Sequence, residues 1–290
     1  MVSLSTFSIV AYDAEEDAWG IAVASKFLAV GAVVPWARAG AGAVATQSYA
    51  NTSYGPIGLD LMESGLSARE TLSRLLSADP QPEHRQVGMV DAQGSAATFT
   101  GNACHAWAGG LTGEGFAIQG NILTGEVVVQ KMAEAFRDSQ GKHIMWRLYN
   151  ALLAGDRAGG DRRGRQSAAI LIVKPKGGYE GFNDIWVDYR VDDHPDPVHR
   201  LGELLELHDL YFGKSLESER VELAGQPLRL LQEIMINLGY YQGPAHGQYD
   251  PPTRMAMESF IGNENFEERT DIAKGLIDQP VIDYLVGRYK

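Results

Sequence analysis

The sequence predicts an α+β protein in which antiparallel sheets are covered by helices. Short apolar runs come in pairs joined by charged or glycine-rich turns, which is typical of β-hairpins and hence of antiparallel sheets. Helical segments also come in pairs, as expected for layers that cover a sheet. Along the chain the order is strands, helices, strands, helices, strands. A four-layer αββα (helix–sheet–sheet–helix) sandwich satisfies this order best, and a single antiparallel sheet with helices on one face also fits it.

The first elements are predicted from periodicity. Residues 7–12 alternate in a pattern that suits a strand buried largely on both faces. The charged turn 13–17 and the apolar run 19–25 complete a hairpin. Small residues dominate 31–50, which indicates two more short strands whose backbones approach closely.

Helix and strand signals then alternate. Ser67 and Glu70 have the spacing of a capping box that begins a helix, which Asp79-Pro80 ends. Further strands are predicted at 86–90, 96–100, 115–119, 168–173 and 183–191, and helices at 126–137 and 142–153. Gly155 is predicted to close the second of these helices.

Three domain segments are predicted: a large domain at 1–213, a polar linker at 214–225 and a small all-α domain at 226–290. A helix beginning at Asp196-Pro197 ends the large domain. In the small domain we expect helices at 228–238, 252–261 and 272–289, the last with a break near Pro280.

Composition excludes several classes of function. The net charge of −12 and the pI of about 5.0 argue against a nucleic-acid or anionic-membrane binder. Cys104 is the single cysteine, so an intrachain disulfide and a cysteine-rich metal site are excluded. The first residues lack the basic and apolar regions of a signal peptide, and no run approaches the ~20 apolar residues of a membrane span. The expectation is a cytoplasmic protein.

Thr6 and Lys26 form the first candidate site. A threonine hydroxyl needs a base to become a nucleophile, and the α-amine of an N-terminal residue can serve, since its pKa is about 8. A peptide nitrogen is not a base, so Thr6 qualifies only after the residues before it are removed. Lys26, at the end of the second strand, would then lower the pKa of that amine and stabilise developing negative charge. The structural alternative is a solvated lysine and a hydroxyl that only satisfies the backbone.

An arginine-rich loop at 155–167 is the second candidate. It contains four arginines among glycines, at positions 157, 162, 163 and 165. Guanidinium groups bind carboxylates and phosphates in a bidentate manner, so Arg162 or Arg165 is expected to bind an acidic group of a substrate. The alternative is a surface loop balanced by Asp156 and Asp161.

The segment 183–197 is acidic. Asp188 lies on the polar face of its predicted strand and is a candidate substrate contact, or else pairs with Arg190 or with a loop arginine. Five residues beyond it have side chains that ligate divalent metals, namely Asp192, Asp193, His194, Asp196 and His199. We expect several of them to serve as turn and cap residues, and predict no metal and no cofactor.

Polar residues also occur among small ones at 102–121. Asn102, Gln119 and Asn121 suit the lining of a pocket between sheets, where amides can donate to an oxyanion. Cys104 and His105 are adjacent, and neighbouring residues of a strand point to opposite faces. A thiol paired with its base is therefore disfavoured, and a buried inert cysteine is expected.

These residues lie in segments that resemble a bacterial family catalogued as domain of unknown function 1028. The matching segments are TFSIVA, WGIAVASKFLAVGAVVPWARAGAGAVATQS, FTGNACHAWAGG, GFAIQGNIL, GDRRGRQSAAIL and DYRVDDHPDPV. The resemblance covers roughly residues 6–213. It implies the αββα sandwich of the N-terminal-nucleophile (Ntn) hydrolases, with Thr6 as nucleophile and Lys26 as supporting cation, but no established substrate.

Two functions therefore stay open. The first is an amidohydrolase that cleaves a C–N amide-type bond of a small anionic substrate. The second is a non-catalytic binding or assembly protein that retains the hydrolase-like fold. A homo-oligomer is compatible with either.

Residues 226–261 resemble the helical repeats of domains catalogued as "putative peptidoglycan-binding". Leu231-Gln232, the segment LGYY at 238–241 and Tyr249-Asp250 keep that pattern. Exposed tyrosine faces suit stacking on sugars. The resemblance implies glycan binding, and a packing or oligomerisation role is the alternative.

Overall fold

The chain divides into two compact units, Met1–Glu203 and Leu204–Lys290. The computed structural model describes residues 6–213, 215–216 and 220–290. Of the predicted linker at 214–225, residues 214 and 217–219 lie outside the described residues. Within the described part, no helix is long and apolar enough to cross a membrane.

The first unit contains ten strands and four complete helices among its described residues. The strands are β1 (Thr6–Asp13), β2 (Ala18–Ser25), β3 (Pro35–Arg38), β4 (Gly42–Ser48), β5 (Arg85–Asp91), β6 (Ala96–Thr100), β7 (Gly109–Gly113), β8 (Phe116–Asn121), β9 (Ser167–Val173) and β10 (Ile185–Val191). The helices are α1 (Tyr54–Glu63), α2 (Ala68–Ala78), α3 (Val127–Asp138) and α4 (Ile144–Arg157). Helix α5 (Pro197–Phe212) continues from the first unit into the second.

The strands form two antiparallel sheets. One has the order β10-β9-β2-β1-β8-β7, and the other has the order β3-β4-β5-β6. Hairpins dominate the pairing, since β1 pairs with β2 along its whole length and every residue of β7 pairs with β8. The prediction of antiparallel sheets combined with pairs of helices is therefore confirmed.

Each sheet buries one face against the other sheet and the second face against helices. Between the sheets lie Val10, Ile21 and Val23 of the larger sheet with Ala43 and Val90 of the smaller one. Helices α1 and α2 cover the outer face of the smaller sheet, and α3 and α4 pack on the larger one. Residues that alternate along a strand thus serve two different cores.

Helix α2 begins as predicted. The Ser67 hydroxyl accepts from the Glu70 backbone N–H while the Glu70 carboxylate accepts from the Ser67 N–H, which completes a capping box. Helix α1 was not predicted, because Gly55, Pro56 and Gly58 mask its signal. A Cβ at Gly55 would lie 2.2 Å from the Trp36 ring, so this glycine lets α1 approach β3.

Two further expectations are corrected. Strand β7 was missed because three of its five residues are glycine. Gly155 does not close α4, which continues to Arg157. A Cβ at Gly155 would meet the Met132 side chain at 2.7 Å, so this glycine allows α4 to pack closely against α3.

The second unit was expected to be all-α and is not. Besides α6 (Gly225–Asn237), α7 (Pro251–Glu264) and α8 (Gln279–Tyr289), it contains a small antiparallel sheet in the order β11-β13-β12. These strands are β11 (Arg220–Glu222), β12 (Thr270–Asp271) and β13 (Leu276–Asp278), each too short to show periodicity in the sequence. Pro280 does not break the last helix, because it lies in the first turn of α8, where its missing N–H has no helical partner.

Candidate functional site

The space between the two sheets changes from apolar to polar toward one end of β1. Val10 faces the apolar core between the sheets, whereas Ser8 and Thr6, two and four residues earlier, bring hydroxyls to the same face. The neighbouring strand β8 pairs in register, so Gln119 lies opposite Ser8 and Asn121 opposite Thr6. We call this region the polar end of the sandwich.

The smaller sheet supplies matching side chains. Gln47 of β4 lies opposite Gln86 of β5. The Ser8 hydroxyl donates to Gln47 Oε1 at 2.6 Å, and Gln47 Nε2 lies 3.2 Å from the Thr6 carbonyl oxygen. The same nitrogen lies 2.9 Å from Gln86 Oε1. Gln47 thus joins the two sheets through side-chain hydrogen bonds.

Gln86 is the centre of this network. Its Nε2 lies 2.7 Å from the Gly120 carbonyl oxygen and 2.9 Å from Thr100 Oγ1, and its Oε1 also accepts from Asn121 Nδ2 at 2.9 Å. The polar side chains of the network are fully buried: Thr6, Ser8, Gln47, Gln86, Gln119 and Asn121. Buried amides without partners are costly, so the mutual pairing stabilises the arrangement.

Gln119 is held by its own set of contacts. Its Nε2 donates to Ser8 Oγ at 2.6 Å, and the Thr98 hydroxyl donates to its Oε1 at 3.4 Å. A Cβ at Gly88 would lie 2.0 Å from Gln119 Oε1, so only glycine at position 88 leaves room for this amide.

Thr6 has Ser25, rather than Lys26, as its direct neighbour. Ser25 lies opposite Thr6 across β1 and β2, and the Thr6 hydroxyl donates to Ser25 Oγ at 3.3 Å. Lys26 is exposed, and its Nζ donates to the Arg165 carbonyl oxygen at 3.2 Å. Its backbone N–H donates to Asp161 Oδ2 at 2.7 Å, which ties the arginine-rich loop to the end of β2.

The predicted arginines have different surroundings. Arg165 forms a bidentate pair with Asp156, with both N–O distances at 2.7 Å, and this hydrogen bonding raises the pKa of Arg165. Arg163 pairs with Asp161. Arg162 is exposed, and among the described residues its guanidinium has no ion-pair partner. Of the two proposed anchors, Arg162 is the one whose charge is not already neutralised.

Two strained positions lie at the polar end. Ser48, which ends β4, and Ile122, which follows Asn121, have φ of 68° and 51°, in the left-handed region that L-residues rarely adopt. Ile122 donates its N–H to the His105 carbonyl and accepts from the Arg162 N–H, so exposed His105 and Arg162 flank it. Such strain concentrates at functional sites in proteins.

The remaining candidates lie elsewhere or play other parts. Asp188 lies on β10, three strands away from β1. Its two carboxylate oxygens accept from Arg190 Nε and Nη2, at 2.9 and 3.1 Å, in a bidentate ion pair. Asn102 is exposed in the turn after β6.

Cys104 and His105 follow the turn after β6 and lie outside the strands, so the alternation of side chains along a strand does not apply to them. Cys104 Sγ lies 3.4 Å from the Arg85 carbonyl oxygen, and burial raises the pKa of its thiol, which keeps it protonated. His105 Nε2 lies 3.4 Å from the Tyr49 hydroxyl, so each of the two side chains has a partner other than its neighbour.

Within the described ranges, no group of three or more His, Cys, Asp or Glu is placed to hold a metal ion. The residues that sequence reasoning missed are Ser8, Ser25, Gln47, Gln86 and Ser48. The sequence signal for the three glutamines is the two-residue period of a strand. In ATQS, RQVG and IQGN this period brings the glutamine to the face between the sheets.

Comparisons with known proteins match both units. Residues 6–201 match the model described as "Family of unknown function (DUF1028)", and residues 211–285 match "Putative peptidoglycan binding domain". No curated protein sequence matches the chain.

Among solved structures, the chain is similar to a DUF1028 protein from Silicibacter pomeroyi. The two are 32% identical with a TM-score of 0.64, over 71% of this chain and 90% of that one. The ancestral β-subunit Anbu from Yersinia bercovieri aligns at 11% identity with a TM-score of 0.31, over 72% of this chain and 100% of that one. That score is too low to support any argument. The family model covers most of the chain, which therefore belongs to the family of unknown function DUF1028.

Proposed function

We propose that the chain is the precursor of an Ntn-type amidohydrolase that acts on a small anionic amide. The observation that carries the proposal is the place of Thr6, which begins β1 inside the polar end and has its hydroxyl 3.3 Å from Ser25 Oγ. In the unprocessed chain the Thr6 nitrogen is a peptide nitrogen and cannot accept a proton. Cleavage of the Ser5–Thr6 bond would create an α-amine that can.

The proposed chemistry begins with transfer of the Thr6 hydroxyl proton to this α-amine. The hydroxyl oxygen attacks the amide carbonyl, the protonated amine returns its proton to the leaving nitrogen, and an acyl ester remains on Thr6. A water molecule that gives up its proton to the amine then attacks the ester, which releases the acid and restores Thr6. Asn121, directly opposite Thr6 in the sheet, is the proposed oxyanion donor. Lys26 adds positive charge beside β2, which favours the unprotonated amine.

The arginine-rich loop supports an anionic substrate. Arg165 is already neutralised by Asp156, so Arg162 is the proposed anchor for a carboxylate. Arg162 lies beside Ile122, two residues after Gly120 and next to Asn121, which brings the anchor to the same end of β8 as the proposed oxyanion donor.

A second candidate function is a binding or assembly protein without covalent chemistry. Full burial of Thr6 favours it, as does the engagement of Gln47, Gln86 and Gln119 with one another and with the backbone. In that case the amides brace the two sheets, and the Ser5–Thr6 bond remains intact in the working protein.

Activity on N-acyl amino acids and on their neutral methyl esters tests the proposal. We expect Thr6→Ser to retain turnover and Thr6→Val to abolish it, because valine has the size and shape of threonine but no hydroxyl. Thr71→Val is the matched control, since Thr71 is equally buried but lies on α2. Arg162→Gln should remove a preference of at least about tenfold for the acids over the esters, the size expected for one charge-assisted contact. Unchanged turnover in Thr6→Val would overturn the nucleophile assignment.

A further inference from the structure

A cavity of about 860 Å³ opens in the first unit at the end of the sheets opposite Thr6. It lies where β1 ends, about 20 Å from Thr6 at the rise of an extended strand. The turns β1–β2, β5–β6 and β7–β8 and the connection between α3 and α4 surround it. Its volume is within the range of small-molecule sites. This cavity has no part in the proposed chemistry at Thr6.

The two walls of the cavity carry opposite charges. Arg137 and Lys142, from α3 and the connection after it, line one wall, and Glu15 and Glu114, from the strand turns, line the other. All four are exposed, and in the described part of the chain none of them has an ion-pair partner within 4.0 Å. Opposite charges that face one cavity without pairing leave room for a ligand that carries both signs.

The cationic wall is the place for the anionic group of that ligand. Arg147 is already matched by Asp13, because its Nη1 donates to Asp13 Oδ2 at 2.6 Å. Arg137 is exposed, its guanidinium lies 5.3 Å from the Phe116 ring centroid, and among the described residues it has no ion-pair partner. Arg137 is therefore the guanidinium on this wall that can bind a carboxylate.

Part of the cavity surface is aromatic. Tyr12 and Trp146 line it and are half-buried, whereas Phe116 and Phe136 lie behind it, each 2% exposed. The Arg147 guanidinium covers the Phe136 ring at 4.3 Å from its centroid. The rings of Tyr12 and Trp146 favour an apolar body between the two charged ends of the ligand.

We propose that this cavity binds a short apolar peptide with free termini. Its carboxylate contacts Arg137, its ammonium contacts Glu114, and its apolar side chains lie against Tyr12 and Trp146. A cavity of about 860 Å³ has room for a dipeptide, which carries its two charges at opposite ends of the molecule.

Isothermal titration calorimetry with the dipeptide Leu-Phe, its N-acetyl derivative and its C-terminal amide tests the proposal on the full chain. We expect each derivative to bind at least tenfold more weakly than Leu-Phe, since each lacks one charge. Arg137→Gln should bind the amide and the free dipeptide equally, and Glu114→Gln should bind the acetyl derivative and the free dipeptide equally.

Lys131→Gln and Glu134→Gln are the matched controls, because this exposed pair lies on α3 outside the cavity. Both should keep the full discrimination. Three results would overturn the proposal: no binding of Leu-Phe at 5 mM, equal binding of all three ligands to the unmodified chain, or full discrimination in both cavity variants.

Discussion

Gln86→Ala should destabilise the first unit strongly, because one amide joins both sheets. Its Nε2 has three acceptors within 3.3 Å but only two hydrogens, and its Oε1 accepts from Gln47 and Asn121. Four hydrogen bonds at about 0.5–1.5 kcal/mol each give a loss of about 4 kcal/mol in the free energy of unfolding. At a typical m-value of about 2 kcal/mol per M, the urea midpoint should fall by about 2 M.

Tryptophan fluorescence during urea denaturation is the assay for Gln86→Ala. All five tryptophans lie in the first unit, so the second unit does not contribute to the signal. Gln130→Ala on the exposed side of α3 is the matched control and should change stability by less than about 0.5 kcal/mol. If the two variants differ by less than about 1 kcal/mol, the amide network does not brace the sheets.

Three further predictions concern the fold. Hydrogen bonds from Arg85 lower the pKa of Asp79. The stability that ionised Asp79 contributes is therefore complete above its unfolded pKa of about 4 and is lost as pH falls through its folded pKa. Urea denaturation followed by tryptophan fluorescence at pH 5 and pH 2.5 should show that acid lowers the free energy of unfolding more in the wild type than in Asp79→Asn. Arg269→Met removes the closer of the two arginines that pair with the buried carboxylate of Asp278, at 2.7 Å, and leaves only Arg220 at 3.3 Å. It should cost about 3 kcal/mol, seen as faster hydrogen exchange throughout 220–290; unchanged exchange would contradict it. Gly88→Ala places a methyl group 2.0 Å from the buried amide oxygen of the glutamine in β8 and should cost about 1–3 kcal/mol by the same urea assay, whereas a neutral result would mean that this amide can move aside.

Elements with strong periodicity or an explicit cap could be predicted from the sequence. Strands β1 and β2 have alternating apolar positions and a charged turn, and α2 has its capping box. Elements built around glycine could not, because glycine reduces both helix and strand signals while serving contacts that only the fold reveals. Gly155 shows this: a position that resembles a helix end is a point of close packing between two helices.

The candidate site could be predicted only as separate residues. Thr6, Gln119 and Asn121 were found individually, yet their meeting with Gln47 and Gln86 depends on the packing of one sheet on another, which sequence spacing does not encode. Charges were harder still to interpret. Whether an arginine is an anchor or half of an ion pair depends on which carboxylate lies within reach, and the loop sequence alone does not distinguish these.

The most direct test of the central claim is the mass of the working chain. The protein purified from its native host should have the mass of a chain that begins at Thr6. Turnover should appear as this form accumulates and should be absent from Thr6→Val. If the fully active protein keeps the Ser5–Thr6 bond, Thr6 has no amine to serve as its base, and the proposed amidohydrolase mechanism is contradicted.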